Sequence, residues 1–212
     1  MKYGLTLPGR GLQATPDDLA IIAKHAEELG YYMVLFGDHL VVPRHTISTY
    51  PYTADGAFPG SGSGEAMEQL TVLAFLAGQT HTIRLVTSVI IVPHRPPLVA
   101  AKALATLDVL SKGRLIVGIW VGWMREEFEA LGLQPFAERG AVTDEYLRAF
   151  KELWTSAHPT FAGQYYRFAN SDTSIVLVMW RIPCDHTTRS TSARLLLSCF
   201  CSFLPQPEPS AA

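Results

Sequence analysis

Two hydrophobic periods alternate along most of this chain. Short apolar runs of the kind buried in parallel sheets predict strands at Lys2 to Leu7, Tyr31 to Phe36, Ile83 to Ile90 and Arg114 to Ile119. Helical spacing fills the intervals. Leu19, Ile22, Ala23, Ala26 and Leu29 lie on one face, behind a Thr15-Pro16-Asp17-Asp18 start and before a Gly30 stop. Leu70, Leu73, Ala74 and Ala77 mark a second helix over Glu65 to Gly78, and Leu98 to Leu110 a third. Ser111-Lys112-Gly113 breaks that helix before the fourth strand. Arg125 to Leu131 and Thr143 to Trp154 read as further helices, the latter with Leu147, Phe150, Leu153 and Trp154 turned inward. Phe161 to Phe168, with Gly163 inside it, predicts a small hairpin.

A strand followed by a helix, four times over, predicts an α/β fold with a parallel sheet and right-handed crossovers. Two architectures meet that order: an open doubly wound sheet, or part of a (β/α)8 TIM barrel. No GxGxxG follows the first strand, where Leu5 to Gly11 reads LTLPGRG, so a nicotinamide site is disfavoured. The segment from Leu40 to Gly64 is long for a compact domain, and its Tyr50, Tyr52 and Phe58 suggest a packed segment facing a substrate.

Composition narrows the class. Of 212 residues, 48% are hydrophobic, enough for a sizeable core, and the formal charge of −2 gives no basic surplus for nucleic acid. No apolar run approaches the roughly 20 residues of a membrane helix. The start MKYGLTLPGRGL lacks a signal-like apolar segment, so a cytoplasmic protein is expected. Cys184, Cys199 and Cys201 crowd the end of the chain without CxxC spacing, which argues against a disulfide framework or a zinc site.

The chemistry-bearing residues gather where strands end, as ligand sites do in parallel α/β folds. Asp38 and His39 follow strand two, Thr87, Ser88 and Val89 close strand three, and Gly118 to Trp123 follow strand four. His39 is either a proton carrier or a strand-end histidine bonded to backbone, and Asp38 either a ligand or a turn residue. His94 and Arg95, between prolines, read as a solvated turn or an anion site. Glu126 and Glu127 suit the start of a helix whatever the function, and Glu68 either reaches the mouth from the second helix or is a solvated helix face. Neither HExxH nor GxSxG occurs, and the other histidines lack metal-ligand spacing, so no metal is expected.

Three pieces, residues 26–43, 82–132 and 135–154, resemble the luciferase-like flavin and deazaflavin oxidoreductases, most closely the branch that uses coenzyme F420. The resemblance implies a TIM barrel holding a flavin-like ring at its C-terminal mouth, with hydride passing between cofactor and a small organic substrate. The cofactor it implies is coenzyme F420, with FMN as the alternative. By the same likeness His39 is the catalytic residue, as proton donor or as a cofactor contact, and Asp38, Thr87, Ser88, Val89 and Gly122 contact the cofactor. It also implies a non-proline cis peptide between Ser88 and Val89. Two positions depart from the family pattern: Trp120 replaces the middle glycine of Gly-x-Gly-x-Gly, and Trp123 stands where some relatives carry a catalytic glutamate. Residues 171–212 match none of the family's fifth strand and glycine pair. The expected organisation is therefore residues 1–170 as the N-terminal half of a barrel, with an unrelated tail in which Ile175 to Trp180 forms a makeshift strand. The alternative function is an inactive half-barrel that pairs with a second copy of itself, a homodimer.

Overall fold

The computed structural model describes residues 2–58 and 66–169. The expected tail after Asn170, with Ile175 to Trp180 and all three cysteines, lies outside the described residues, as do the tip of the long loop and Glu65.

Four parallel strands form one sheet in chain order: β1 (Gly4–Thr6), β2 (Met33–Phe36), β3 (Arg84–Ile91) and β4 (Leu115–Trp120). Helices α1 (Pro16–Glu28), α2 (Gln69–Gln79) and α3 (Pro97–Leu110) cross between successive strands. Beyond β4 come α4 (Arg125–Ala130) and α5 (Arg139–Thr155), then the expected hairpin as β5 (Phe161–Ala162) against β6 (Arg167–Phe168). The signals read for α1 are present as contacts: the Thr15 hydroxyl accepts the Asp18 amide at 3.1 Å, and Pro16 opens the helix. Helix α2 starts at Gln69 and not at the expected Glu65, because Glu68 is its cap, accepting the Thr71 amide at 2.7 Å; the expected apolar face from Leu70 lies within it.

The core lies between the sheet and the helices. Phe36, Leu73, Leu76, Leu85 and Leu104 are almost fully buried there, each contributing about 1.5–3 kcal/mol of transfer free energy. Burial alternates in β2: Val34 and Phe36 face the helices, while Met33 and Leu35 are half-buried on the other face. Strand β1 shows only exposed or half-buried residues. A parallel strand covered on both faces is thus realised in β3 and the first half of β4, not in β1 and β2, because the described helices cover one face.

The N-terminal end of the sheet is tied down by two side chains. Buried Arg114 donates to the carbonyls of Ser111 (2.7 Å), Ile83 (3.0 Å), Ala77 (2.9 Å) and Thr80 (3.2 Å), and to the Thr80 hydroxyl (2.8 Å). Glu27 accepts the amides of His81, Thr82 and Ile83 and the Thr82 hydroxyl. Burial alone would raise its carboxyl, but those donors win and hold it at about 2. The turns that launch β3 and β4 are fixed, so the register carries through to the opposite end.

Candidate active site

Strand β3 is irregular at the C-terminal end of the sheet. Thr87 pairs with Val117, but the next partners are Ile90 and Ile119, so β3 spends one residue more than β4 over this step. The Ser88–Val89 peptide inside the irregularity is cis, as the family likeness implies. Thr87 is fully buried and its hydroxyl donates to the Gly118 carbonyl at 2.8 Å. A Cβ on Gly118 would lie 2.6 Å from the Thr87 carbonyl oxygen, so the two strands touch there only because that position has no side chain. Ser88 is exposed and Val89 half-buried. Gly122 has φ 87°, and a Cβ on it would come within 2.8 Å of Phe128 and 2.9 Å of Ile91.

Asp38, after β2, is 4% exposed and fully engaged. Its Oδ2 accepts the Ile91 amide and Arg95 Nη1, both at 2.8 Å, and its Oδ1 accepts Arg95 Nη2 at 2.8 Å. The same Nη2 donates to Glu68 at 2.6 Å. This bidentate pair ties the end of β2 to the end of β3 and to the cap of α2. Burial pulls the Arg95 guanidinium down, but Asp38 and Glu68 outweigh it and raise it above its ordinary value. His94 and Arg95 are buried, which overturns the solvated-turn reading; of the two, Arg95 binds anions, the protein's own Asp38 and Glu68, so Glu68 is an ion-pair partner and not a free helix face. The turn is a buried 3-10 segment, Val92–His94, that follows β3.

His39 packs beside this unit, 17% exposed at its side chain, with Nδ1 3.0 Å from Glu127 Oε2. The other oxygen of Glu127 accepts the amides of Leu40 (2.8 Å) and Val41 (3.1 Å). Burial pushes the Glu127 carboxyl up, but His39, the backbone donors and the neighbouring His94 hold it below its ordinary range. A carboxylate only accepts, so Nδ1 of His39 carries the hydrogen and Nε2 is the nitrogen left for chemistry. His94 Nδ1 stands 3.9 Å from Glu127 Oε1, beyond hydrogen-bond length, and its ring meets Phe128 edge-on at 4.9 Å. Burial lowers the His94 imidazole by more than the nearby carboxylates of Glu127 and Asp38 raise it.

The loop after β2 closes over the rim as an aromatic cluster. Phe58 stacks near His39 (4.9 Å), Tyr50 (5.2 Å) and Trp123 (5.3 Å), and Tyr52 lies 5.7 Å from Trp120. Trp120 and Trp123 therefore face this loop. Glu126 holds the loop from α4, accepting the Ser48 amide (2.9 Å) and hydroxyl (2.6 Å) and the Ile47 amide.

Asp38, His39, Thr87, Ser88, Val89 and Gly122 all fall at the C-terminal end of the parallel sheet. Asp38 and Gly122 both touch Ile91, Gly37 approaches the Ser88 carbonyl, and Thr87 bonds to Gly118. The sequence reading named Arg95 and Glu127 but not their buried partners, Asp38 and His39. A signal for Glu127 existed: it falls three residues after Met124 and beside Phe128, both buried, and hence on the inner side of α4.

The fold and this rim define the first four βα units of a (β/α)8-barrel type, with the site on the C-terminal side. The chain belongs to the luciferase-like monooxygenase family, whose model matches residues 1–193. An uncharacterized protein of Mycobacterium tuberculosis is 32% identical over 171 residues, 81% of this chain and 59% of the relative. An FMNH2-dependent dimethylsulfone monooxygenase of Pseudomonas putida is 35% identical over 112 residues, 51% of this chain and 30% of the relative. Among solved structures, monooxygenase RslO1 from Streptomyces bottropensis superposes with TM-score 0.64 at 28% identity, over 80% of this chain and 48% of that one. An F420-dependent secondary alcohol dehydrogenase shares the fold at TM-score 0.64 and 22% identity, over 80% of this chain and 47% of that one. The chain thus covers 59% and 30% of the two relatives named above and about half of the two solved structures. Among the described residues no helix is long and apolar enough to cross a membrane, and no group of three or more His, Cys, Asp or Glu could hold a metal.

Proposed function

We propose that residues 1–170 supply the first half of a luciferase-like oxidoreductase whose strand ends hold a flavin-like ring, coenzyme F420 or alternatively FMN, against a small organic substrate. The observation that carries this reading is the irregular end of β3, with Ser88 exposed, at the same end of the sheet as a histidine whose Nδ1 is fixed by a buried carboxylate. The residues fit a flat ring. Gly37 and Ser88 are exposed neighbours at the strand ends, and no side chain rises at Gly37 or Gly118.

Such a ring, when bound, supplies hydride transfer. His39 holds or delivers a proton at Nε2, and Glu127 stabilises the imidazolium that forms when it takes one. Asp38, with Arg95, positions His39 by fixing the end of β2. Thr87, Val89 and Gly122 keep the rim in shape, and Phe58, Tyr50 and Trp123 shut water from it. The resemblance around Asp38-His39 favours coenzyme F420, and the FMNH2-dependent relative keeps FMN as the alternative.

The test is a titration of coenzyme F420 and of FMN into folded chain, followed by ring fluorescence. Saturable quenching by one of them is expected. Gly37→Val should weaken it at least about tenfold while leaving the fold intact, because a side chain there meets only open space and the Ser88 carbonyl 4.0 Å away. A chain with a native circular dichroism spectrum that quenches neither ring contradicts the proposal.

A further inference from the structure

Arg10 lies in the turn after β1, at the same end of the sheet as His39. That turn is held from both sides: the Gly9 carbonyl accepts the Met67 amide at 3.3 Å, and Gly9 abuts the ring of Phe36. The guanidinium sits over the face of Phe58, 5.0 Å from its centre, and Phe58 in turn packs on His39. Arg10 is half-buried, and burial lowers its guanidinium more than the more distant Tyr50 and Glu127 raise it, though it stays charged.

The carboxylates around this rim are all engaged by other donors. Asp38 belongs to Arg95 and Ile91, Glu68 to Arg95 and Thr71, Glu126 to Ile47 and Ser48, Glu127 to His39, Leu40 and Val41. Among the described residues Arg10 makes no ion pair, in contrast to Arg95, which is saturated at the same rim. A partly desolvated cation facing an aromatic wall, with its local acids already committed, is complementary to an acid group brought by a ligand.

We propose that Arg10 anchors a carboxylate or phosphate on the molecule bound at the strand ends, whose flat apolar part lies along Phe58, Tyr50 and Trp123. The proposal rests on the ring-binding reading above and adds the charge class of the ligand. The planar fork of the guanidinium suits a two-oxygen acid, and the Phe58 face keeps the fork in place. The acid belongs either to the substrate or to the side chain of the cofactor.

Two ligand pairs separate those sources in the full chain, with Arg10→Met and Arg10→Lys beside the parent. The first pair is 2-naphthoate against 2-naphthamide, followed by tryptophan quenching. The second is FMN against riboflavin, followed by ring quenching. The acid member of at least one pair should bind about ten- to a hundred-fold more tightly in the parent. That preference should vanish in Arg10→Met and return in part in Arg10→Lys. Dependence on Arg10 in the naphthyl pair assigns the acid to the substrate, and in the flavin pair to the cofactor. An Arg10-dependent naphthoate preference without any flavin binding upholds the anion anchor and removes the ring-binding reading. Flavin binding with both preferences absent, or unchanged in Arg10→Met, overturns the anchor and leaves the ring-binding reading standing.

Discussion

Asp38→Ala lowers the stability of the fold by about 3–5 kcal/mol, the usual cost of breaking a buried pair from one side. The reason is geometric. Asp38 receives three hydrogen bonds at 2.8 Å, two from Arg95 and one from the Ile91 amide. Without it, a guanidinium whose side chain is 10% exposed keeps only the half-exposed Glu68 as partner, and the Ile91 amide keeps none in the carboxylate's place. The double variant Asp38→Ala with Arg95→Met should cost less than the sum of the single changes, because it removes the stranded charge. Urea unfolding followed by tryptophan fluorescence measures both. A single-variant loss under about 1 kcal/mol, the range of an exposed pair, would show that the pair does not hold these strand ends together.

Glu127→Gln is the second large effect, and it depends on pH. The change weakens the acceptor of the His39 ring and of the Leu40 and Val41 amides, for an expected loss of about 2–4 kcal/mol at neutral pH. The sign follows from linkage. The folded carboxyl lies below its ordinary 4.5, so its contribution is complete above that value and is lost as pH falls through the folded one. Parent and variant should therefore differ most near neutrality and converge in acid. The freed segment from Leu40 to Tyr50 should also be cut faster by trypsin at Arg44 in the variant. A stability gap that widens on acidification would mean that Glu127 is protonated in the folded protein.

The βα order is legible from the chain because it is written in local terms. Thr15-Pro16-Asp18 begins a helix wherever it occurs, and the apolar period gives the face that packs. The irregular end of β3 comes instead from the likeness of Thr87-Ser88-Val89 to known relatives, since its apolar run looks like any buried strand. The partners of Arg95 and Glu127 were illegible for a different reason. Asp38 lies 57 residues before Arg95, and His39 lies 88 before Glu127. Polar residues between prolines or at a helix start look solvated until a distant chain segment arrives to bury them. The start of α2 is set locally instead: one oxygen of Glu68 caps the helix at Thr71, three residues on, while the other is held by Arg95.

A crystal structure of the chain with FMN or coenzyme F420 tests the central claim most directly. The account predicts the ring seated on the Ser88–Val89 step beside Gly37, with His39 Nε2 turned toward it and Nδ1 still on Glu127. A ring bound at the Arg114 end of the sheet, or with His39 turned away from it, would contradict the account.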